Sequence, residues 1–129
     1  SGTVIGGVSG AASAGFNILT KATRIVGKAH GTILHKLSSN MQAGRMASSG
    51  RYSQIGLNKA LKTMGLNGGL QRPDVIGIGK NGTSKLVEVV SQKQNELSVM
   101  NKMSKMLAAN PNSTGKVVMW VRNIGKTLY

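Results

Sequence analysis

The chain has 129 residues, enough for one domain with a core and too few for two ordinary ones. Seventeen Lys and Arg stand against three acids, a net charge of +14 that points to a polyanionic partner: nucleic acid, an acidic protein or an anionic membrane surface. The lack of cysteine excludes disulfides, thiolate-held zinc and thiol nucleophiles, and one Trp, one Phe and two Tyr are too few for the stacking platforms that hold single strands.

Residues 1–20 carry no charge and are rich in Gly, Ala and Ser. Gly2, Gly6, Gly10 and Ala14 recur every fourth residue, a spacing that lets helices approach closely in membranes. Low hydropathy instead favours a linker remnant of a longer chain over residues 1–16, an expectation in keeping with a start at Ser1, and leaves 17–129 as one domain. From Asn17 to Ala47 apolar residues fall at helical steps: Ile18, Ala22, Ile25, Val26 and Ala29, then Ile33, Leu34, Leu37 and Met41. Gly27 and Gly31 divide this stretch into two helices with those residues inward. A break is expected at Ser48-Ser49-Gly50, then a helix capped by Ser53 with Leu57, Ala60, Leu61 and Met64 on one face and Gly65 as its stop. The period then changes to strands, over 73–79 and 84–90, separated by Lys80, Asn81 and Gly82. Asn95 to Ala109 reads as a helix with Leu97, Met100, Met103 or Ser104, and Leu107 inward, closed by Asn110-Pro111, and 116–122 as a third strand. The fold class is α/β: N-terminal helices packed on a small mixed sheet that contains a β-hairpin.

The acids carry the chemical argument. Two of the three, Asp74 and Glu88, sit on the hairpin strands. A two-residue turn would place them on opposite faces; a three-residue loop with Gly82 left-handed sets them side by side, Cβ atoms about 4.5–5.5 Å apart. Carboxylates that close must share a divalent cation, share a proton, or be paired by Lys or Arg. A metal held by Asp74 and Glu88 would activate water for attack on a phosphodiester. The alternative is a structural acid pair neutralised by surface lysines.

Arg72-Pro73-Asp74-Val75-Ile76-Gly77, the Asn-Gly hairpin and Glu88-Val89-Val90-Ser91 followed by Gln92-Lys93-Gln94 resemble the PD-(D/E)xK nuclease pattern found in C-terminal toxin domains of contact-dependent growth-inhibition systems. The upstream Ala29-His30-Gly31-Thr32, His35 and residues 51–60 are similar too, so that the resemblance covers about residues 29–122. It implies a restriction-endonuclease-like fold, a polynucleotide substrate, export from one bacterium into the cytoplasm of another, and a cognate immunity protein, acidic to match the toxin. It also implies that a host factor such as elongation factor Tu can assist. The sequence departs from the pattern two residues after Glu88, where the family's Lys is Val90; Lys93, with Ser91 or Gln94 orienting water, is the substitute.

RNA carries its own nucleophile, the 2′-hydroxyl, so its cleavage needs only a base, an acid and a cation. His30 and His35, the only histidines, are the candidate bases, but five residues on one straight helix put them about 140° apart unless Gly31 breaks it. Arg51, Lys59, Lys62 and Arg72, with Arg45, Lys102 and Lys105, are candidate phosphate contacts. Three functions are expected in descending order: a ribonuclease toxin acting on tRNA, a DNase toxin of the same fold using Mg or Zn, and a basic nucleic-acid-binding module without catalysis. No stable membrane span is expected.

Overall fold

The structure, a computed structural model, describes residues 23–91, 94–121 and 124–127; the linker expected at 1–16 and Lys93 lie outside them. In chain order the elements are β1 (Arg24–Gly27), α1 (Ile33–Ser49), β2 (Tyr52–Leu57), a 3₁₀ turn (Lys62–Met64), β3 (Val75–Gly79), β4 (Ser84–Val90), α2 (Glu96–Ala109), β5 (Ser113–Val121) and β6 (Ile124–Thr127). The six strands form one mixed sheet in sequential order. β1–β2 and β4–β5 are parallel and the other pairs antiparallel. Parallel neighbours need a long crossover, and α1 and α2 are those two crossovers.

The helices cover opposite faces. On one side Ala43 and Met46 of α1 pack with Ile55, Leu57, Val75 and Val87. On the other, Met103 and Met106 of α2 pack with Ile76, Leu86, Val90 and Val117, joined by Leu61 and Met64. Alternation along β3 and β4 feeds both layers, so these central strands are apolar nearly throughout. Each fully buried Ile, Leu, Val or Met contributes about 1.5–3 kcal/mol.

Four expectations need correction. Residues 24–27 form an edge strand, where a helix had been expected. Tyr52–Leu57 is likewise a strand, hydrogen-bonded to β1 on one side and β3 on the other. The Leu61 and Met64 spacing belongs to the 3₁₀ turn that follows, which Gly65 ends in the left-handed conformation (φ 79°). The third correction concerns the face of α1. Ile33, Leu34 and Leu37 are 84%, 55% and 54% exposed, and the buried stripe is His35, Ser38, Ser39, Gln42, Ala43 and Met46. The sheet beneath accepts small and polar side chains: a Cβ on Gly77 would collide with Met46 and Tyr52, and Gln42 accepts a hydrogen bond from Lys116 on β5 (3.3 Å). α2 follows expectation at its ends, Asn95 capping it by accepting from the Ser98 N–H (3.2 Å), and at Met103. Leu97, expected inward, is 66% exposed.

The inverted α1 face gives opposite outcomes at two apolar positions. Leu37→Ser should leave stability within about 0.5 kcal/mol, whereas Gly77→Val, which drives a side chain into Met46, should cost about 1–3 kcal/mol, both read from urea denaturation midpoints.

Candidate functional site

The hairpin register creates the site. Gly82 has φ 88°, its N–H donates to Gly79 O (3.2 Å), and the Gly79 N–H donates to Thr83 O (2.7 Å). This is the three-residue loop. The ladder that pairs Ile78 with Ser84 and Val75 with Val87, continued one step, sets Asp74 beside Glu88. Two hydrogen bonds lock the pair: the Asp74 N–H donates to Glu88 Oε1 (3.2 Å), and the Val89 N–H donates to Asp74 Oδ2 (2.7 Å).

Both histidines reach the same carboxylate because α1 starts late. Gly31 adopts φ 97°, and Thr32 caps α1 by accepting from the His35 N–H (3.3 Å). His30 thus stands before the helix and His35 in its first turn. His30 Nε2 lies 3.1 Å and His35 Nε2 3.4 Å from Asp74 Oδ1, and the rings meet edge to face with centroids 5.1 Å apart.

The two rings differ chemically. His35 is buried, with Nδ1 2.7 Å from His30 O and Nε2 3.1 Å from Val89 O. Carbonyl oxygens only accept, so both nitrogens donate and the ring is an imidazolium. Its hydrogen bond to Asp74 raises it from 6.5 to about 9 against the opposing effect of burial, with the Asp74 charge and the two carbonyls adding to the rise. Burial works to raise Asp74, but the His35 and Val89 hydrogen bonds and the His35 charge hold it below the ordinary carboxylate value. His30, its side chain 54% exposed, donates Nε2–H to Asp74, so that a neutral ring there carries its lone pair on Nδ1.

Glu88 is paired from the other helix. Lys102 of α2 places Nζ 2.6 Å from Glu88 Oε2 and 3.2 Å from Arg72 O. Burial, then the Asp74 charge, push Glu88 up to about 7 despite Lys102. The acids therefore tolerate each other through separate cationic partners, the imidazolium for Asp74 and the ammonium for Glu88.

Ligand atoms of His30, His35 and Asp74 lie within 4.8 Å of one another, close enough to hold a metal ion. Their hydrogen bonding does not suit one. His35 has no lone pair to give while both nitrogens donate to carbonyls, and Glu88 is occupied by Lys102 and the Asp74 N–H. A divalent ion at Asp74 and Glu88 would have to displace these partners.

The groups open into a cavity of about 360 Å³, which Asn58, Gln94, Ser98 and Val99 help to line. Of the expected phosphate contacts, Arg72 and Lys102 are brought to it. Arg72 Nη1 donates to the O of Asn58 (2.9 Å), a left-handed residue (φ 51°) whose N–H donates to Asp74 O (3.1 Å). Arg51 stands apart, after the C-cap of α1 and close enough to Lys85 for its charge, with that of Lys116, to add to the lowering of Lys85 by burial. Lys59 lies beside Gly27, and Lys62 is exposed on the 3₁₀ turn. Ser91 is outside the cavity lining, its N–H donating to Gln94 Oε1 (2.8 Å). Ser98 and Asn58 were missed from sequence; the Asn that follows a strand was the available signal for the second. Among the described residues no helix is long and apolar enough to cross a membrane. Comparison with protein-family models, curated proteins and solved structures gave no match.

A raised pKa stabilises the fold below the unfolded value and ceases to do so as pH rises through the folded one. His35→Gln should therefore cost on the order of 2 kcal/mol at pH 6 and much less above pH 9, by denaturation at each pH. Nitrogen-15 spectra at pH 7.5 should show both His35 ring nitrogens protonated.

Proposed function

We propose that this chain is a nuclease that cleaves RNA without a resident metal, a restriction-endonuclease-like toxin domain whose favoured substrate is tRNA. One observation carries the reading: an exposed histidine oriented by a buried aspartate shares a cavity with Lys102 and Arg72, two cations suited to a phosphate. His30 Nδ1 takes the proton of the 2′-hydroxyl. The 2′-oxygen attacks phosphorus, the bond to the 5′-oxygen breaks, and a 2′,3′-cyclic phosphate results. Lys102 and Arg72 stabilise the charge that develops on the phosphoryl oxygens. The Lys102 ammonium gives its proton to the departing 5′-oxygen, which leaves as a hydroxyl, and solvent returns a proton to Lys102 and takes the one held by His30. His35 and Glu88 touch no substrate: the first fixes Asp74, the second fixes Lys102. The family's Lys is missing at Val90, which is buried in the core, and the ammonium of Lys102 meets Glu88 from α2 in its stead.

The toxin context rests on the resemblance in residues 29–122, and with it an acidic immunity protein, drawn to the +14 chain by electrostatic steering. Metal-dependent DNA cleavage is the second reading, favoured by the adjacency of Asp74 and Glu88 alone.

Purified protein should cut tRNA equally well with and without chelator and leave plasmid intact. His30→Ala and Lys102→Ala should each lower the rate about 10²-fold or more with unchanged circular dichroism. Plasmid nicking abolished by chelator, with tRNA untouched, would replace this reading by the second.

A further inference from the structure

A second cavity, of about 490 Å³, adjoins the first, and Ser98 and Lys102 belong to the walls of both. It is open to solvent along much of its extent. The remaining lining comes from two places: Asn95, Leu97, Asn101 and Lys105 at the start and outer side of α2, and Gln71 ahead of β3. No acid is among them. The chemistry is thus two ammonium groups, three carboxamides, one hydroxyl and one apolar side chain. Leu97 is 66% exposed and takes no part in the core, which the inward-pointing Met103 and Met106 supply from the same helix.

We infer that this second cavity is a nucleotide subsite, in which the carboxamides of Gln71, Asn95 and Asn101 read a base next to the cleaved phosphodiester and Lys105 holds its phosphate. A carboxamide offers a donor and an acceptor side by side, the pattern that matches the edge of an unpaired base. Asn95 already uses its oxygen to cap α2, so it presents its NH₂ group. Leu97 supplies an apolar surface for the face of the ring. Lys102, at the shared wall, is the step from this nucleotide to the scissile phosphate. The inference rests on the phosphodiesterase reading for its substrate class, and it adds base preference to a site whose catalytic groups contact only backbone.

Titration of the full chain with each of the four nucleoside 3′-monophosphates, and separately with inorganic phosphate, tests it by the side-chain amide signals of Asn101 and Gln71. Nucleotides should shift both signals, one base more tightly than the others, and phosphate alone should shift neither. Asn101→Ala combined with Gln71→Ala should weaken nucleotide binding at least fivefold and leave phosphate binding within twofold. Lys105→Gln should weaken both. Nucleotide shifts confined to His30 and its neighbours, or affinity unchanged in the double variant, would overturn the subsite. Failure to cleave any RNA would instead overturn the phosphodiesterase reading, and the titration would still report on the cavity.

Discussion

The Asp74 carboxylate ties together parts of the chain that have no other reason to meet. One oxygen accepts the Val89 N–H and so fastens the end of β3 to β4; the other faces His35 of α1 and His30 of the loop before it. Burying an unpaired carboxylate costs several kcal/mol, so this arrangement holds only while its donors are in place. The histidines supply that condition. Because α1 has no acid in its own first turn, Asp74 also stands in for the N-terminal negative charge that a helix favours.

The same accounting explains the chain's charge. Glu96 lies in the first turn of α2, the helix-terminal position where an acid is favourable, and the other two acids meet inside the site. Positive charge elsewhere is therefore left uncompensated by neighbouring carboxylates, as around Lys85, Lys116 and Arg51. A polyanion crossing this surface would meet attraction over a wide area.

Much of the site was legible because it is local. The hairpin register followed from the loop residues and the positions of Asp74 and Glu88, and β3, β4 and α2 followed from period and caps. The histidine pairing depended on Gly31, the position where a break frees both rings to meet; what the sequence did not mark was Asp74 as the group on which they converge. What failed was non-local. β1 and β2 are four and six residues long and owe their form to each other and to β3, and helical spacing of Leu57, Leu61 and Met64 masked the second. Apolar periodicity misleads on α1 because it assumes that a helix turns its apolar side to the core. Here the inward side must carry His35 to Asp74 and Gln42 to Lys116. Lys102 reaching Glu88 joins residues 14 positions apart through the packing of α2, which no local spacing encodes.

Gly31 carries no functional group, yet the site's geometry passes through it. Its φ of 97° disfavours any side chain, and a Cβ there would stand 2.9 Å from His35 Nδ1, inside the space of the ring that holds Asp74. A substitution at this position acts twice, on the turn that brings His30 back to the helix and on the imidazolium beneath it. In a mutational survey it would score with His30, His35 and Asp74, and the silence of its side chain is the reason it can sit among them.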